Sequence, residues 1–445
     1  MSLDAVFKAY DIRGLVPEEL NADLARQVGA AFARYAKSPS ILVGRDMRPS
    51  GLELSGAFIQ GALDQGVDVI DLGLIPTDLL YFASGKLDMP GATFTGSHNP
   101  AQYNGIKLCL AGAKPVGEDT GLDVIKADIE AGNATTVERR GEARSLDLLA
   151  DYADHVRSFI DVNAIRPLKV VADTANGMGG LALPQVMGAL PVTLEILFEE
   201  LDGTFPNHPA DPINPANQVD LINRVRETGA DIGLAFDGDA DRVFLVDEKG
   251  VGLSGSTTTA IIAATMLERN PGSTIIYNLI CSRAVPEIVR EKGGNPVIAR
   301  VGHSFIKADM AETGAIFGGE HSAHYYFRDN YRADSGLIAA LVVLEIISRA
   351  GQPLSEIRKP FERYVASGEI NTKVADPKAS IEKVAVAFGH MQQSRLDGLT
   401  CEADSWWFNL RPSNTEPLLR LNLEAGSQEE CEARTNDVLA IVREG

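Results

Sequence analysis

Ser97 sits at the tip of a sharp turn, Thr95-Gly96-Ser97-His98-Asn99-Pro100, directly after the short apolar run Ala92-Thr93-Phe94. A hydroxyl presented there, beside an imidazole and flanked by Gly and Asn that tolerate unusual backbone angles, can accept and return a transferred group. Taken alone, the segment is as readily an ordinary Ser-Gly-Asn turn. A second loop, Asp237-Gly238-Asp239-Ala240-Asp241-Arg242, follows the apolar run 232–236 and packs three carboxylates into five residues. Their repulsion requires water or a hard cation among them, and oxygen-only ligation suits Mg2+ or Ca2+. An EF-hand frame would place Glu248 at its twelfth position, but Arg242 stands where its sharp turn wants glycine, and both flanks read as strand. A third loop, Gly318-Gly319-Glu320-His321-Ser322-Ala323-His324, follows Ala315-Ile316-Phe317 and offers groups suited to hydroxyls rather than to a metal.

The elements that position these loops repeat one plan. An apolar strand with a polar turn leads to a helical stretch, a second strand, and a third strand that ends in one of the loops. The strands are expected at 41–45, 67–70 and 92–94, then at 169–172, 192–196 and 232–236, then at 274–277, 296–299 and 315–317. The spacing varies from copy to copy, so this is a diverged repeat rather than a solenoid. Short apolar strands alternating with helices make parallel or mixed α/β sheets, which bind ligands at the carboxyl ends of their strands. After about residue 366 the pattern becomes alternating strands, 405–410 and 418–424, and a helix over 428–442. The expected fold is three similar α/β domains with mixed sheets plus a smaller C-terminal α+β domain around one central cleft. The domain bounds are 1–145, 146–251, 252–365 and 366–445.

Size and composition agree with this division. A chain of 445 residues exceeds a single core. The 45% hydrophobic and 23% charged content is that of ordinary globular protein. A net charge of −20 with scattered Lys and Arg leaves no footprint for nucleic acid or an anionic membrane. A protein this acidic must gather its cations locally to hold an anion, and Arg13, Arg45, Lys107, Arg242 and Arg411 are the candidates. Cys109, Cys281, Cys401 and Cys431 show no C-x-x-C pair or zinc spacing and read as reduced thiols. The longest apolar run, 337–344, falls far short of the ~20 residues needed to span a bilayer. The expected compartment is the cytoplasm, with no membrane or nucleic-acid partner.

The three loops, together with Lys8-Ala9-Tyr10-Asp11-Ile12-Arg13-Gly14 and Arg411-Pro412-Ser413-Asn414-Thr415-Glu416-Pro417, occur in an order that resembles the α-D-phosphohexomutase family over almost the whole chain. The nearest likeness is to the bacterial phosphomannomutase/phosphoglucomutase group. The resemblance implies that Ser97 is held as phosphoserine, donates phosphate to one end of a hexose monophosphate and recovers it from the other end. It implies Mg2+ on Asp237, Asp239, Asp241 and the phosphorylated Ser97, and glucose 1,6-bisphosphate or mannose 1,6-bisphosphate as activator. Lys107 is the implied general base, a role that requires a lowered pKa. His98 and Arg242 lie beside the serine and the carboxylates, and His324 is the candidate acid. Glu320 and Ser322 match the pair that holds two ring hydroxyls. Arg411, Ser413, Asn414 and Thr415 match a site for the unreacting phosphate, and Tyr10, Arg13 and His303 match further substrate contacts.

Two departures bear on sugar preference: Ala323 stands where many dual-specificity members carry Gly, and Ile280 replaces a lysine. The implied reaction interconverts mannose 6-phosphate and mannose 1-phosphate, and likewise the glucose pair, on phosphorylated hexoses, by a monomer or weak homodimer. Within the fold the alternative is a phosphoglucosamine mutase. From another class it is a metal-dependent phosphatase or a calcium-binding module, neither of which needs the serine loop or the Glu320 loop.

Overall fold

The computed structural model describes residues 3–133, 137–412 and 418–443. Two compact units emerge: Met1–Ser254 with Gly302–Phe317 and Ser322–Ile357, and Gly255–Val301 with Gly318–His321 and Arg358–Gly445.

The first unit opens with seven strands: β1 Ile12–Leu15, β2 Ser40–Arg45, β3 Asp68–Leu74, β4 Gly91–Phe94, β5 Tyr103–Leu110, β6 Lys114–Pro115 and β7 Ala143–Ser145. They form a mixed sheet in the order β1-β5-β4-β2-β3-β7, with β6 on β5. β2 runs parallel to β3 and β4, whereas β5 is antiparallel to β4 and to β1. The turn from β4 to β5 therefore reverses the chain, and the serine loop lies at the carboxyl end of β4. One face is covered by helices Ala22–Ala36 and Gly51–Leu63, whose Phe32 and Phe58 join Phe94 in a buried aromatic row. The two helices touch backbone to backbone, because a Cβ on Gly29 would lie 2.1 Å from Phe58 O and one on Gly61 2.0 Å from Arg26 O. Glycine is required there by space, not by conformation.

β8 Leu168–Asp173, β9 Val192–Leu197, β10 Ile232–Phe236 and β11 Val243–Asp247 form a second sheet in the order β11-β10-β8-β9. β8, β9 and β10 are parallel, and β11 turns back antiparallel to β10. The aspartate loop is thus the tight connection of a strand pair, which removes the helix-flanked calcium-loop geometry. Glu248 accepts bonds from Ser355 instead. The buried helix Gly336–Ala350 is capped by Ser335, which accepts from Ile338 N and donates to Asp78 Oδ2 at 2.6 Å. Tyr152 OH donates to the same Asp78 oxygen, and burial pushes this carboxyl up to about 7.

In the second unit, β12 Thr274–Asn278 and β13 Asn295–Ala299 pair in parallel. The third sequence repeat expects its last strand at 315–317. The structure begins β14 later, at Phe317–Gly319, and β15 follows at Tyr325–Phe327 in the first unit. Gly314 ends the preceding helix with φ 69, so Ala315 and Ile316 serve as the exit from it. Two residues without side chains then continue the strand, since a Cβ on Gly319 would stand 2.3 Å from Thr259 Oγ1. The five strands β16 Val365–Lys373, β17 Gln392–Ser394, β18 Leu399–Glu402, β19 Trp406–Pro412 and β20 Leu418–Ala425 make an antiparallel sheet in the order β16-β20-β19-β18-β17. Its core of Trp406, Phe408, Phe388 and Leu421 is closed by helices Pro377–Ala387 and Gln428–Arg443.

All four cysteines are buried free thiols. Among the described residues no single helix is long and apolar enough to cross a membrane.

Candidate active site

The serine loop is held under strain. Ser97 itself takes φ 48, the left-handed region that side chains other than those of Gly, Asn and Asp rarely occupy. The unusual angle thus falls on the reactive position itself, not on the flanking Gly96 and Asn99 where the residue types favour it. Ser97 N donates to Thr95 Oγ1 at 2.8 Å and Ser97 Oγ donates to Asp237 Oδ2 at 2.8 Å, with His98 Nδ1 3.2 Å from the hydroxyl. The aspartate loop approaches so closely that a Cβ on Gly238 would lie 2.5 Å from Ser97 O. Glycine between Asp237 and Asp239 is what lets the two loops meet.

The three carboxylates are buried and share few donors. Asp237 accepts from Arg242 Nε at 2.9 Å as well as from Ser97. Asp239 Oδ2 accepts from Thr77 Oγ1 at 2.6 Å, Thr95 Oγ1 at 3.2 Å and Lys107 Nζ at 3.1 Å, and Asp241 Oδ2 accepts from Lys107 Nζ at 2.7 Å. Among the described residues, the remaining oxygens Asp239 Oδ1 and Asp241 Oδ1 are buried with no hydrogen-bond partner. One ligand atom from each aspartate lies within 4.8 Å of the others. Buried carboxylate oxygens left without donors are the setting a hard, oxygen-ligated cation fits, and Mg2+ matches the donor set.

The electrostatics follow from burial and from these partners. Burial, against the pull of Arg242 and with two like charges beside it, holds Asp237 well above the usual carboxylate range. Asp239 lies below it, because Lys107, Thr77 and Arg242 outweigh burial. The chief correction concerns Lys107. It stands within β5 opposite Thr93, and the lowered pKa expected of a base is not what surrounds it: burial would lower the value, but Asp239 and Asp241 raise it well above the ordinary lysine value. In this state Lys107 is an ammonium that clamps two carboxylates. His98 is pushed well below its ordinary value by burial and by Arg242 and Arg13, so the imidazole at the serine is neutral.

His324 Nε2 lies 3.5 Å from Asp241 Oδ1 and 3.9 Å from Asp334 Oδ2, and its Nδ1 is 3.0 Å from Ser322 Oγ. Lys307 Nζ sits 2.9 Å from Asp334 Oδ1 and 3.7 Å above the Tyr81 ring. Arg13 Nη1 donates to Asn99 Oδ1 at 2.5 Å, and the Tyr10 and His303 rings pack edge to face at 5.4 Å. The first unit thus gathers Ser97, His98, Lys107, Arg242, His324 and the three aspartates, with Arg13 and Ser322 one contact away.

Glu320 and Arg411 belong to the second unit. There Glu320 Oε2 accepts from Asn278 Nδ2 at 3.1 Å, and Arg411 Nη2 donates to Glu369 Oε2 at 3.0 Å. Ser413, Asn414 and Thr415 lie outside the described residues. Ala323 takes φ 65 in full burial, a conformation that glycine adopts without strain. Four residues absent from the sequence reading join the site: Arg48 beneath the serine loop, Thr77 on Asp239, and the pair Lys307 and Asp334 behind His324. The only sequence signal was for Arg48, a second arginine in the segment Gly44-Arg45-Asp46-Met47-Arg48 that ends β2 and leaves it. Lone polar residues such as Thr77, Lys307 and Asp334 carry no pattern of their own.

Residues 4–136, 150–250 and 254–364 match phosphoglucomutase/phosphomannomutase alpha/beta/alpha domains I, II and III, and residues 369–441 match the C-terminal domain of that family. A phosphomannomutase of Salmonella montevideo is 42% identical over 448 residues, covering 98% of each chain. Phosphohexose mutases of Xanthomonas campestris pv. campestris are 38% identical over 448 residues, covering 100% of each. The crystal structure of a phosphoglucomutase/phosphomannomutase family protein from Burkholderia thailandensis superimposes with a TM-score of 0.90 at 34% identity, over 100% of this chain and 99% of that one.

Proposed function

The chain belongs to the phosphoglucomutase/phosphomannomutase family and is a phosphohexose mutase, and from that premise we propose that it interconverts mannose 6-phosphate with mannose 1-phosphate, and glucose 6-phosphate with glucose 1-phosphate, through phosphorylated Ser97. The observation that carries this reading is the Ser97 hydroxyl bonded to Asp237 within a buried set of three carboxylates, with Lys107, Arg242 and His324 around it.

In the first half-reaction, the free hydroxyl of the hexose monophosphate attacks the phosphorus on Ser97. The new sugar O–P bond forms as the Ser97 Oγ–P bond breaks. The hydroxyl proton passes to Lys107 in its neutral amine form, its own proton having first gone to water, and His324 returns a proton to the Ser97 oxygen. The resulting hexose 1,6-bisphosphate turns end for end and hands its other phosphate back to Ser97 by the reverse of these steps. Arg242, fixed on Asp237, and Arg13 supply positive charge for the phosphoryl oxygens. Asp237, Asp239 and Asp241 would hold Mg2+, which when bound withdraws charge from the phosphoryl group. Lys107 draws its raised pKa from Asp239 and Asp241, so neutralising their charge frees it to exchange a proton. Glu320 and Ser322 bind ring hydroxyls, and Tyr10, His303, Arg411, Ser413, Asn414 and Thr415 bind the rest of the phosphosugar. A hexose 1,6-bisphosphate restores phosphate to any dephosphorylated Ser97. The proposed domains remain 1–145, 146–251, 252–365 and 366–445. The free thiols support a cytoplasmic setting.

A coupled assay with mannose 1-phosphate and glucose 1-phosphate, Mg2+ and a trace of glucose 1,6-bisphosphate tests this reading. Turnover of both sugars is expected. It should fall to background with EDTA and return when Mg2+ is added back. Activity indifferent to chelation would overturn the metal assignment. Release of inorganic phosphate in place of isomerised sugar would point to a phosphatase.

A further inference from the structure

Arg48 is 2% exposed and bonds the serine loop at four points. Its Nη2 donates to Ser97 O at 2.9 Å and Asn99 O at 2.6 Å, and its Nη1 donates to Pro100 O and Tyr103 O, each at 2.8 Å. Nε faces Asp46 Oδ2 at 3.3 Å, and Asp46 is anchored by its backbone N–H to Phe94 O at the end of β4. The second sheet's loop closes the other side. The Phe205 ring lies 5.1 Å from the guanidinium, and a Cβ on Gly203 would come within 2.5 Å of Arg48 Cα. The guanidinium also passes directly under Gly96, where a Cβ would lie 2.6 Å from Arg48 Cζ.

We propose that Arg48 is a positioning residue: its planar fork ties the carbonyls of residues 97, 99, 100 and 103 into one rigid loop and so holds Ser97 in its left-handed conformation, with the hydroxyl aimed at Asp237. Arg48 grips the carbonyl of the reactive residue and leaves its hydroxyl to Asp237, which fixes direction without contact to the phosphate or the sugar. Five donors in a fixed plane can span four carbonyls and a carboxylate, whereas a lysine ammonium offers three donors from one point. The inference rests on the reading of Ser97 as the phosphate carrier.

The test uses the full-length protein as Arg48→Lys and, separately, as Gly96→Ala, which keeps the arginine but puts a methyl against its guanidinium. Thermal midpoint, kcat and KM for mannose 1-phosphate, and the fraction of Ser97 phosphorylated by glucose 1,6-bisphosphate are measured on folded protein. A misplacement of the nucleophile by about 1 Å predicts a kcat lower by about 100-fold with KM little changed, and slower phosphate uptake at Ser97. A purely structural arginine would lower the thermal midpoint but leave kcat and phosphate uptake of the folded fraction at wild-type values, and that result would overturn the proposal. If Arg48→Lys does not fold, Gly96→Ala decides by the same readouts. Failure of the wild-type protein to take phosphate on Ser97 would sink the carrier reading and this inference together, whereas a phosphorylated wild type with unaffected variants would sink this inference alone.

Discussion

Replacing Ser97 with alanine is expected to lower turnover of mannose 1-phosphate by about 10,000-fold or more, the scale on which removal of a catalytic nucleophile acts. Among the described residues, the neighbouring group that could take the phosphate is His98. His98 is neutral and its Nδ1 lies 3.2 Å from the serine hydroxyl, but a ring nitrogen there would have to displace the loop to reach the same line of attack. The fold should survive the change. Alanine at φ 48 is strained no more than serine, and Asp237 keeps its bond to Arg242. The measurement is the coupled assay beside a thermal melt. A variant that melts like wild type and retains a tenth of its activity or more would contradict the role assigned to Ser97.

Replacing Lys107 with methionine should lower kcat by about 100- to 10,000-fold, the range typical of a lost general base. Methionine keeps most of the side-chain volume and removes the charge. Asp239 and Asp241, each bonded to the ammonium in the wild type, then face one another without it. Breaking a buried pair in this way costs about 3–5 kcal/mol. A cation among the same carboxylates offsets that loss. The variant should therefore melt well below wild type in EDTA and regain much of the difference in Mg2+, while its activity stays low in both. Thermal melts with and without Mg2+ beside the coupled assay check both halves. Wild-type kcat in the variant would remove Lys107 from the chemistry, and a melting deficit unchanged by Mg2+ would detach it from the metal site.

What the sequence revealed about this site divides along a physical line. The strands at 232–236 and 418–424 and the loops between strands were readable because each is a local pattern: apolar residues at a fixed period, then small or charged residues where the chain must turn. The three aspartates announced themselves by crowding, and the structure brings Asp237 to Ser97 from 140 residues away in the chain. What the sequence concealed are partners that become neighbours only in the fold. Thr77 reaches Asp239 across 162 positions, and Ser335 reaches Asp78 across 257, with no local pattern marking either end.

Lys107 illustrates a further limit. Its place in the motif was legible, but the direction of its pKa depends on which charges lie nearest, and two carboxylates rather than cations adjoin it. Arg45 was the arginine singled out in its turn, while Arg48, three residues on, bends back beneath the serine loop. The late start of β14 has the same kind of cause: Gly318 and Gly319 extend the strand, Thr259 leaving no room for a side chain at Gly319, and composition alone counts such residues against a strand.

The central claim is that Ser97 carries the phosphate that moves between the two ends of the sugar. The most direct test is a single-turnover transfer: the protein is loaded with radiolabelled phosphate from glucose 1,6-bisphosphate, freed of ligand, and mixed with one equivalent of mannose 1-phosphate in Mg2+. The account predicts that the label starts on Ser97, leaves the protein, and appears in hexose 1,6-bisphosphate and mannose 6-phosphate. Label that is absent from Ser97, stays on it, or departs as inorganic phosphate would contradict it.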